Sequence, residues 1–221
     1  MKLYIIAPLI ISLIIGLTIP VPVQTQQHQH PSLGIMTITV RDSKGNIIQQ
    51  FSQPINGPTK QFADILSLLF ANQPEDVYRY TVAEDGSNIK IGIYQSSSPA
   101  SYTFIILADT ENRVYIGFGN SSSPSYSITK YSLDNLLAKV KSSNPSIGIS
   151  NDNITITISA SYSPSTDVNI TEVGIYYRVD QFDSTLNNYA DLLIIYDVLS
   201  QPVSVPSGGS ITVTYNFVIK I

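Results

Sequence analysis

Apolar and polar residues alternate with a period of two over most of the chain from Leu33 onward, the signature of half-buried β-strands. GIMTITV (34–40) and IIQQF (47–51) flank RDSKGN (41–46), which reads as a hairpin with Lys44, Gly45 and Asn46 supplying the left-handed turn positions. Further strands are predicted at VYRYTVA (77–83), NIKIGIY (88–94), YTFIILA (102–108) and RVYIGFG (113–119). The second half adds NITITISASY (153–162), TEVGIYYRV (171–179), DLLIIYDVL (191–199) and SITVTYNFVIKI (210–221). Ile, Val, Thr and Tyr dominate these runs, and Asp-Gly, Ser-Pro, Asn-Asp-Asn and Gly-Gly turns separate them.

Two stretches follow a helical period instead. In 59–73, Phe62, Ile65, Leu66, Leu69 and Phe70 share one face behind a Thr59 cap. In 132–141, Leu133, Leu136, Leu137 and Val140 do the same behind Ser132, with lysines at the favourable end. The expected fold class is therefore all-β, an antiparallel β-sandwich (jelly-roll-like) with two short helices, over a single domain at 33–221.

The first 23 residues form a hydrophobic segment of another kind. Leu3, Ile5, Ile6, Leu9, Ile10, Ile11, Leu13, Ile14, Ile15, Leu17 and Ile19 make a charge-free apolar run behind Lys2. As a helix this run measures about 25 Å, which suits a membrane anchor or the apolar region of a signal peptide. A small-x-small cleavage pattern is missing and the run exits through Pro20 and Pro22, which favours a retained anchor with everything after Gln24 outside. Residues 24–32 then read as an extended polar linker carrying His28 and His30.

Composition narrows the chemistry. The 221 residues hold 12 Lys plus Arg, 16 Asp plus Glu, 2 His and no Cys, for a net charge of −4. Thiol catalysis, disulfides and Cys-based zinc sites are excluded, and the mild acidity argues against nucleic-acid binding. Charged residues are 13% of the chain, about half the usual share, so Ser, Thr, Asn, Gln and Tyr must keep the surface wet. Such a surface suits an acidic exterior, and the sequons at Asn120, Asn153 and Asn169 are glycosylation candidates if the domain is exported.

No catalytic, cofactor-binding or metal site is expected. Both histidines lie in the linker, away from any nucleophile, and Gly117-Phe118-Gly119-Asn120-Ser121 reads as a strand running into a turn rather than a phosphate loop. Paired carboxylates remain formally available among Glu75, Asp76, Glu84, Asp85, Glu111, Glu172, Asp180, Asp183, Asp191 and Asp197. The oxygen-rich turns at 109–112 and 151–153 read as Asx turns rather than calcium loops. Glu172, placed before an alternating apolar strand, is expected to bond the backbone of a neighbouring loop.

From Thr171 onward, ITEVGIYYRV, DLLIIYDVLSQPVSV and PSGGSITVTYNFVIKI resemble the closing pattern of β-sandwich structural proteins of phages and archaeal viruses. Upstream, RVYIGFGNSSSPSYSITKYSL is similar to that family's glycine turn and tyrosine-leucine stretch, and VRDSKGNIIQQF to its opening hairpin. The resemblance implies a virion appendage subunit (tail, nozzle, turret or penton-type) that contacts other virion proteins and takes no small-molecule substrate; self-association as a homo-oligomer is expected separately, from sparsely charged strands such as SITVTYNFVIKI, whose one charge is Lys220. The apolar N-terminal run departs from cytosolically assembled tail proteins and points to a lipid-containing virion, with the β-domain on its exterior. Two other readings stay open: a cell-surface archaeal pilus or thread subunit, completed by a strand donated from residues 20–33, and a secreted glycan-binding module. The last would use tyrosines such as Tyr80, Tyr94, Tyr102, Tyr126, Tyr131, Tyr176 and Tyr177.

Overall fold

The computed structural model describes residues 33–70, 78–93, 103–106, 112–150, 152–181 and 189–220. Every described residue belongs to one compact unit, Pro31–Ile221. The apolar segment 3–19, the linker and its histidines lie outside the described residues. Among the described residues no helix is long and apolar enough to cross a membrane.

The fold is all-β and mostly antiparallel. A five-stranded sheet runs in the order β2 (Ile47–Pro54), β1 (Gly34–Arg41), β12 (Ser210–Lys220), β9 (Asn153–Tyr162), β8 (Ser146–Ile149). A second, seven-stranded sheet joins β3 (Tyr78–Val82), β4 (Asn88–Ile93), β5 (Thr103–Ile106), β10 (Val168–Gln181), β6 (Val114–Gly119) and β7 (Leu136–Lys141), with β11 (Tyr189–Val205) also paired to β10. β4 and β5 are parallel; the other pairs are antiparallel.

The alternation read from the sequence is what makes the two layers stick. Met36, Ile38 and Val40 of β1, Ile158 and Ala160 of β9, and Ile211, Val213 and Tyr215 of β12 all turn inward. They meet Ile116 and Phe118 of β6, Ile175 of β10 and Ile195 and Val203 of β11 in one core. Burying each such side chain is worth about 1.5–3 kcal/mol, so this shared layer is the main force holding the sheets together. SITVTYNFVIKI is accordingly an interior strand, flanked by β1 and β9.

The first hairpin forms as expected. Asp42 Oδ1 accepts the N–H groups of Lys44 and Asn46, both at 2.9 Å, and Gly45 takes a φ of 85°, which a side chain would resist. The helix α1 (Lys60–Phe70) also forms; among its described side chains Gln61 and Leu68 are buried, Phe62, Ile65 and Leu66 are half-buried, and Ile65 packs with Leu68. Thr59 does not cap it. Its hydroxyl donates to the Leu193 carbonyl instead, tying the helix start to β11. Leu68 then packs with Ala83, Ile89, Ile91, Val179 and Leu192, covering one part of the seven-stranded sheet.

The second expected helix is not there. Residues 132–141 bend at Ser132, turn at Asp134 and Asn135 and then run as β7, paired to β6. The apolar set fits both periods: Leu136, Ala138 and Val140 also alternate, and pairing with β6 decides between them. The N–H groups a helix would leave free at its start are taken elsewhere, Leu133 by the Tyr176 hydroxyl and Asp134 and Asn135 by Glu172. β8 is a second departure, a four-residue strand inside a Ser/Asn/Pro stretch that carries no long alternation.

Candidate functional site

The polar side chains with unusual surroundings gather on the seven-stranded sheet and between the sheets. On β10, Glu172 is wholly buried; its Oε1 accepts the Asn135 N–H at 2.9 Å and its Oε2 accepts the Asp134 N–H at 3.1 Å and the Tyr196 hydroxyl at 2.8 Å. This is the backbone clamp expected of Glu172. Its carboxylate has room because position 119 is glycine: a Cβ there would lie 2.6 Å from Glu172 Oε1. Gly117 and Gly174 do the same for Tyr176 and Leu193, each of which would approach an added Cβ to 2.6 Å. The glycines of VYIGFG and EVGIYY therefore form a trough across neighbouring strands, filled by Leu133, Tyr176, Leu193 and Tyr196.

A charged network lies alongside. Lys139 of β7 bonds Glu84 and, at 2.5 Å, Asp191 of β11. Arg178 of β10 grips Asp191 with two bonds, Nε to Oδ1 at 2.8 Å and a terminal nitrogen to Oδ2 at 3.0 Å. Its guanidinium lies over the rings of Tyr189 (3.7 Å) and Tyr115 (4.5 Å). Burial works to raise the Asp191 carboxyl, and the Arg178 and Lys139 bonds outweigh it, so Asp191 is held below the usual carboxylate range.

Asp197 of β11 sits between the two sheets with no exposure. Burial pushes its carboxyl up to about 7, although the Asn56 N–H donates to its Oδ1. Tyr215 of β12 faces it and is itself raised, first by burial and then by the Asp197 charge. The two interact electrostatically, but their geometry falls short of a hydrogen bond, leaving Asp197 Oδ2 and the Tyr215 hydroxyl without a bonded partner.

These groups fasten elements together. Glu84 and Asp191 are the expected acids that come together, on Lys139, and Glu172 and Asp134 share the Tyr196 hydroxyl. No group of three or more His, Cys, Asp or Glu among the described residues is placed to hold a metal ion. Gly117–Ser121 is a strand end, with the Asn120 N–H donating to the Asn135 carbonyl. Of the oxygen-rich turns, residues 109–111 and 151 lie outside the described residues. Asn112 donates to the Ser142 carbonyl and hydroxyl. Among the tyrosines considered for glycans, Tyr176 is fully buried, Tyr126 stacks on Tyr196, Tyr80 and Tyr131 are exposed, and Tyr94 and Tyr102 lie outside the described residues.

The five-stranded sheet presents a different surface. Its outer face carries Thr37, Gln50, Ser52, Thr155, Thr157, Ser159, Ser161, Thr212, Thr214 and Asn216, and no charge between Arg41 at one end and Lys220 at the other. Hydroxyls and amides join across strands: Thr37 to Ser52 at 2.9 Å, Thr157 to Asn216 at 2.8 Å, Ser159 to Thr214 at 3.0 Å and Ser161 to Thr212 at 2.7 Å. Both edge strands, IIQQFSQP and SIGI, are uncharged. Of the sequon residues, Asn169 is exposed and accepts the Ser204 hydroxyl, while Asn120 and Asn153 are half-buried. No family model, curated protein or solved structure matches the chain.

Proposed function

We propose that this chain is a self-associating structural subunit of a virion appendage, of the tail, nozzle or turret kind, in an archaeal virus. Its apolar N-terminal segment anchors it to lipid, and its folded unit is a jelly-roll-like sandwich standing outside. The observation that carries the reading is the outer face of the five-stranded sheet, a broad hydroxyl and amide surface without charge, bounded by two uncharged edges. Monomeric proteins ordinarily protect sheet edges with lysines, prolines or covering loops. Here β11 has such a cover, since Gly57 and Thr59 bond its free side, whereas β8 has all four residues exposed. The first and last strands lie side by side, as the jelly-roll-like arrangement supposes. The polar groups of the other sheet hold loops in place.

The test is the mass of the detergent-extracted full chain by sedimentation, and the particle or envelope fraction with which it copurifies. An oligomer is expected, reduced to monomer by Thr214→Lys together with Ser159→Lys at unchanged circular dichroism. A wild-type chain that sediments as a monomer at all concentrations overturns the reading. The bare β8 edge also favours a second reading, a pilus or thread subunit whose neighbour adds a strand there. Intact mass separates the two, because retention of Met1–Ile19 supports the anchor and loss supports the filament.

A further inference from the structure

Among the described residues, six exposed apolar ones lie at one end of the five-stranded sheet, against two, Ile47 and Ile48, at the other. The pairing register places Gly34 opposite Phe217, Ile219 opposite Ile154 and Ile149 opposite Ile154, so the start of β1, the end of β12, the start of β9 and the end of β8 share that end. Leu33, Ile35, Val218, Ile219, Ile147 and Ile149 are all exposed there, Ile149 to 77%. The opposite end is charged, with Arg41, Asp42 and Lys44 in the first hairpin and Asp167 bonded to the turn at Ser207.

The parity of these residues distinguishes what covers them. Met36, Ile38 and Val40 face the core, so Ile35 faces outward, and the alternation of β12 puts Val218 outward with it. Ile219, Ile149 and Ile147 lie on the core-facing side by their pairing with Ile154 and Ile156, beyond the reach of the second sheet. Both faces of the same sheet end are therefore apolar. A second protein sheet covers one face or extends one edge; the boundary layer of a bilayer takes in both.

We infer that this end of the sheet dips into a lipid surface, with the isoleucines and Val218 entering the headgroup boundary. The inference rests on the anchored reading above. Its support is where the folded unit is entered: Leu33 lies at this same end, where its carbonyl accepts the Val218 N–H. The preceding sequence carries the apolar run 3–19, separated from Leu33 by residues 20–32. Even fully extended, a spacer of that length reaches only about 45 Å, which bounds how far this end stands from any membrane that holds the run. The charges on these strand ends, Lys220 and Asp152, are of opposite sign, and the long stem of Lys220 lets its ammonium remain in water.

The chain has no tryptophan, so one introduced indole reports on one place. The full chain carrying Ile149→Trp, Ile219→Trp or Ile48→Trp is reconstituted into phosphatidylcholine vesicles, with and without brominated acyl chains. All three sites are exposed, and Ile48 lies at the charged end. Insertion to about 5–10 Å should make bromine quenching at positions 149 and 219 at least about threefold stronger than at 48. Equal quenching at the three sites, in protein that floats with the vesicles, overturns the inference and leaves the anchor standing. An indole at 149 shielded from both bromine and aqueous iodide assigns the surface to a second copy and also overturns it. Protein that does not float removes the anchored reading and this inference with it. A glycan found on Asn153, in the turn at this end, would be incompatible with insertion.

Discussion

The two sheets finish their outer faces in opposite ways. The seven-stranded sheet is covered by its own chain: α1 packs over β4, and the segment carrying Leu133 is pinned over β6 and β10 by Glu172 and Tyr176. Its charges are drawn inward, where Lys139, Arg178 and Asp191 act as fasteners. Among the described residues the five-stranded sheet has no such cover, and its face is a ladder of hydroxyls and amides. The difference teaches where specificity of folding resides and where association is left open. A buried carboxylate with three donors permits one loop position, because moving away strands a charge in a low-dielectric site. A hydroxyl ladder fixes nothing so strictly, since water or a neighbouring subunit satisfies each group equally well.

The largest effect expected from breaking this contrast is at Glu172. Glu172→Ala removes the acceptor for Asp134, Asn135 and Tyr196 together and should cost about 4 kcal/mol, within the range for breaking a buried charged network. For a unit of this size that lowers the melting temperature by roughly 10 °C, measurable by thermal and urea unfolding. A loss under about 1 kcal/mol would mean that packing of Leu133 and Tyr196 holds the loop without the clamp.

Next in size is a pH dependence centred on Asp197. Folding raises this carboxyl from 3.8 to about 7, so the fold prefers its neutral form. Its contribution is fully present below pH 3.8, falls as the unfolded chain ionises with rising pH, and is exhausted above about pH 7, where both states are charged. A shift of this size corresponds to about 4 kcal/mol as an upper bound. Asp191 works in the other direction, being lowered, so its stabilisation is lost as pH falls below the usual carboxylate range. Asp197→Asn should flatten the decline in stability between pH 4 and 7 and leave the acid limb, to which Asp191 contributes, in place. An unchanged profile in Asp197→Asn would assign the titration elsewhere.

Much of this layering is legible in the sequence. The period-two runs, the Asp42 to Asn46 turn and the Glu172 clamp follow from residue type and spacing alone. β7 is ambiguous because Leu133, Leu136, Leu137 and Val140 satisfy a helix while Leu136, Ala138 and Val140 satisfy a strand. Only pairing with the preceding strand β6, across the loop at 120–135, settles it. The trough has a signal that periodicity does not weigh: Gly117, Gly119 and Gly174 alternate on adjacent strands, marking a face that must admit bulk from above. Asp197 is visible as an acid inside an apolar run, but its burial between the sheets depends on a facing strand that the sequence does not name. The apolar sheet end is likewise hidden, since Ile35, Ile149 and Ile219 are separated by most of the chain and meet only through register.

The smallest effect sharpens the comparison most. Ser159 and Thr214 share one bond of the ladder at 3.0 Å, and both are half-buried at the centre of the bare face. Replacing Thr214 by alanine removes that neutral hydrogen bond, and replacing Ser159 removes it together with the bond to the Val213 carbonyl; water can substitute for both, so each change should cost only about 0.5–1 kcal/mol in urea unfolding of the dissociated chain. The same substitutions in the assembled state leave an unsatisfied group against the neighbour wherever a subunit covers this face, and the penalty rises to about 1–3 kcal/mol. The drop in unfolding midpoint relative to the unsubstituted chain should therefore grow with protein concentration for Ser159→Ala and stay constant for an alanine placed at Ser165, in an exposed loop elsewhere. If the two variants respond alike to concentration, the hydroxyl face is plain solvated surface, and association must run through the strand edges instead.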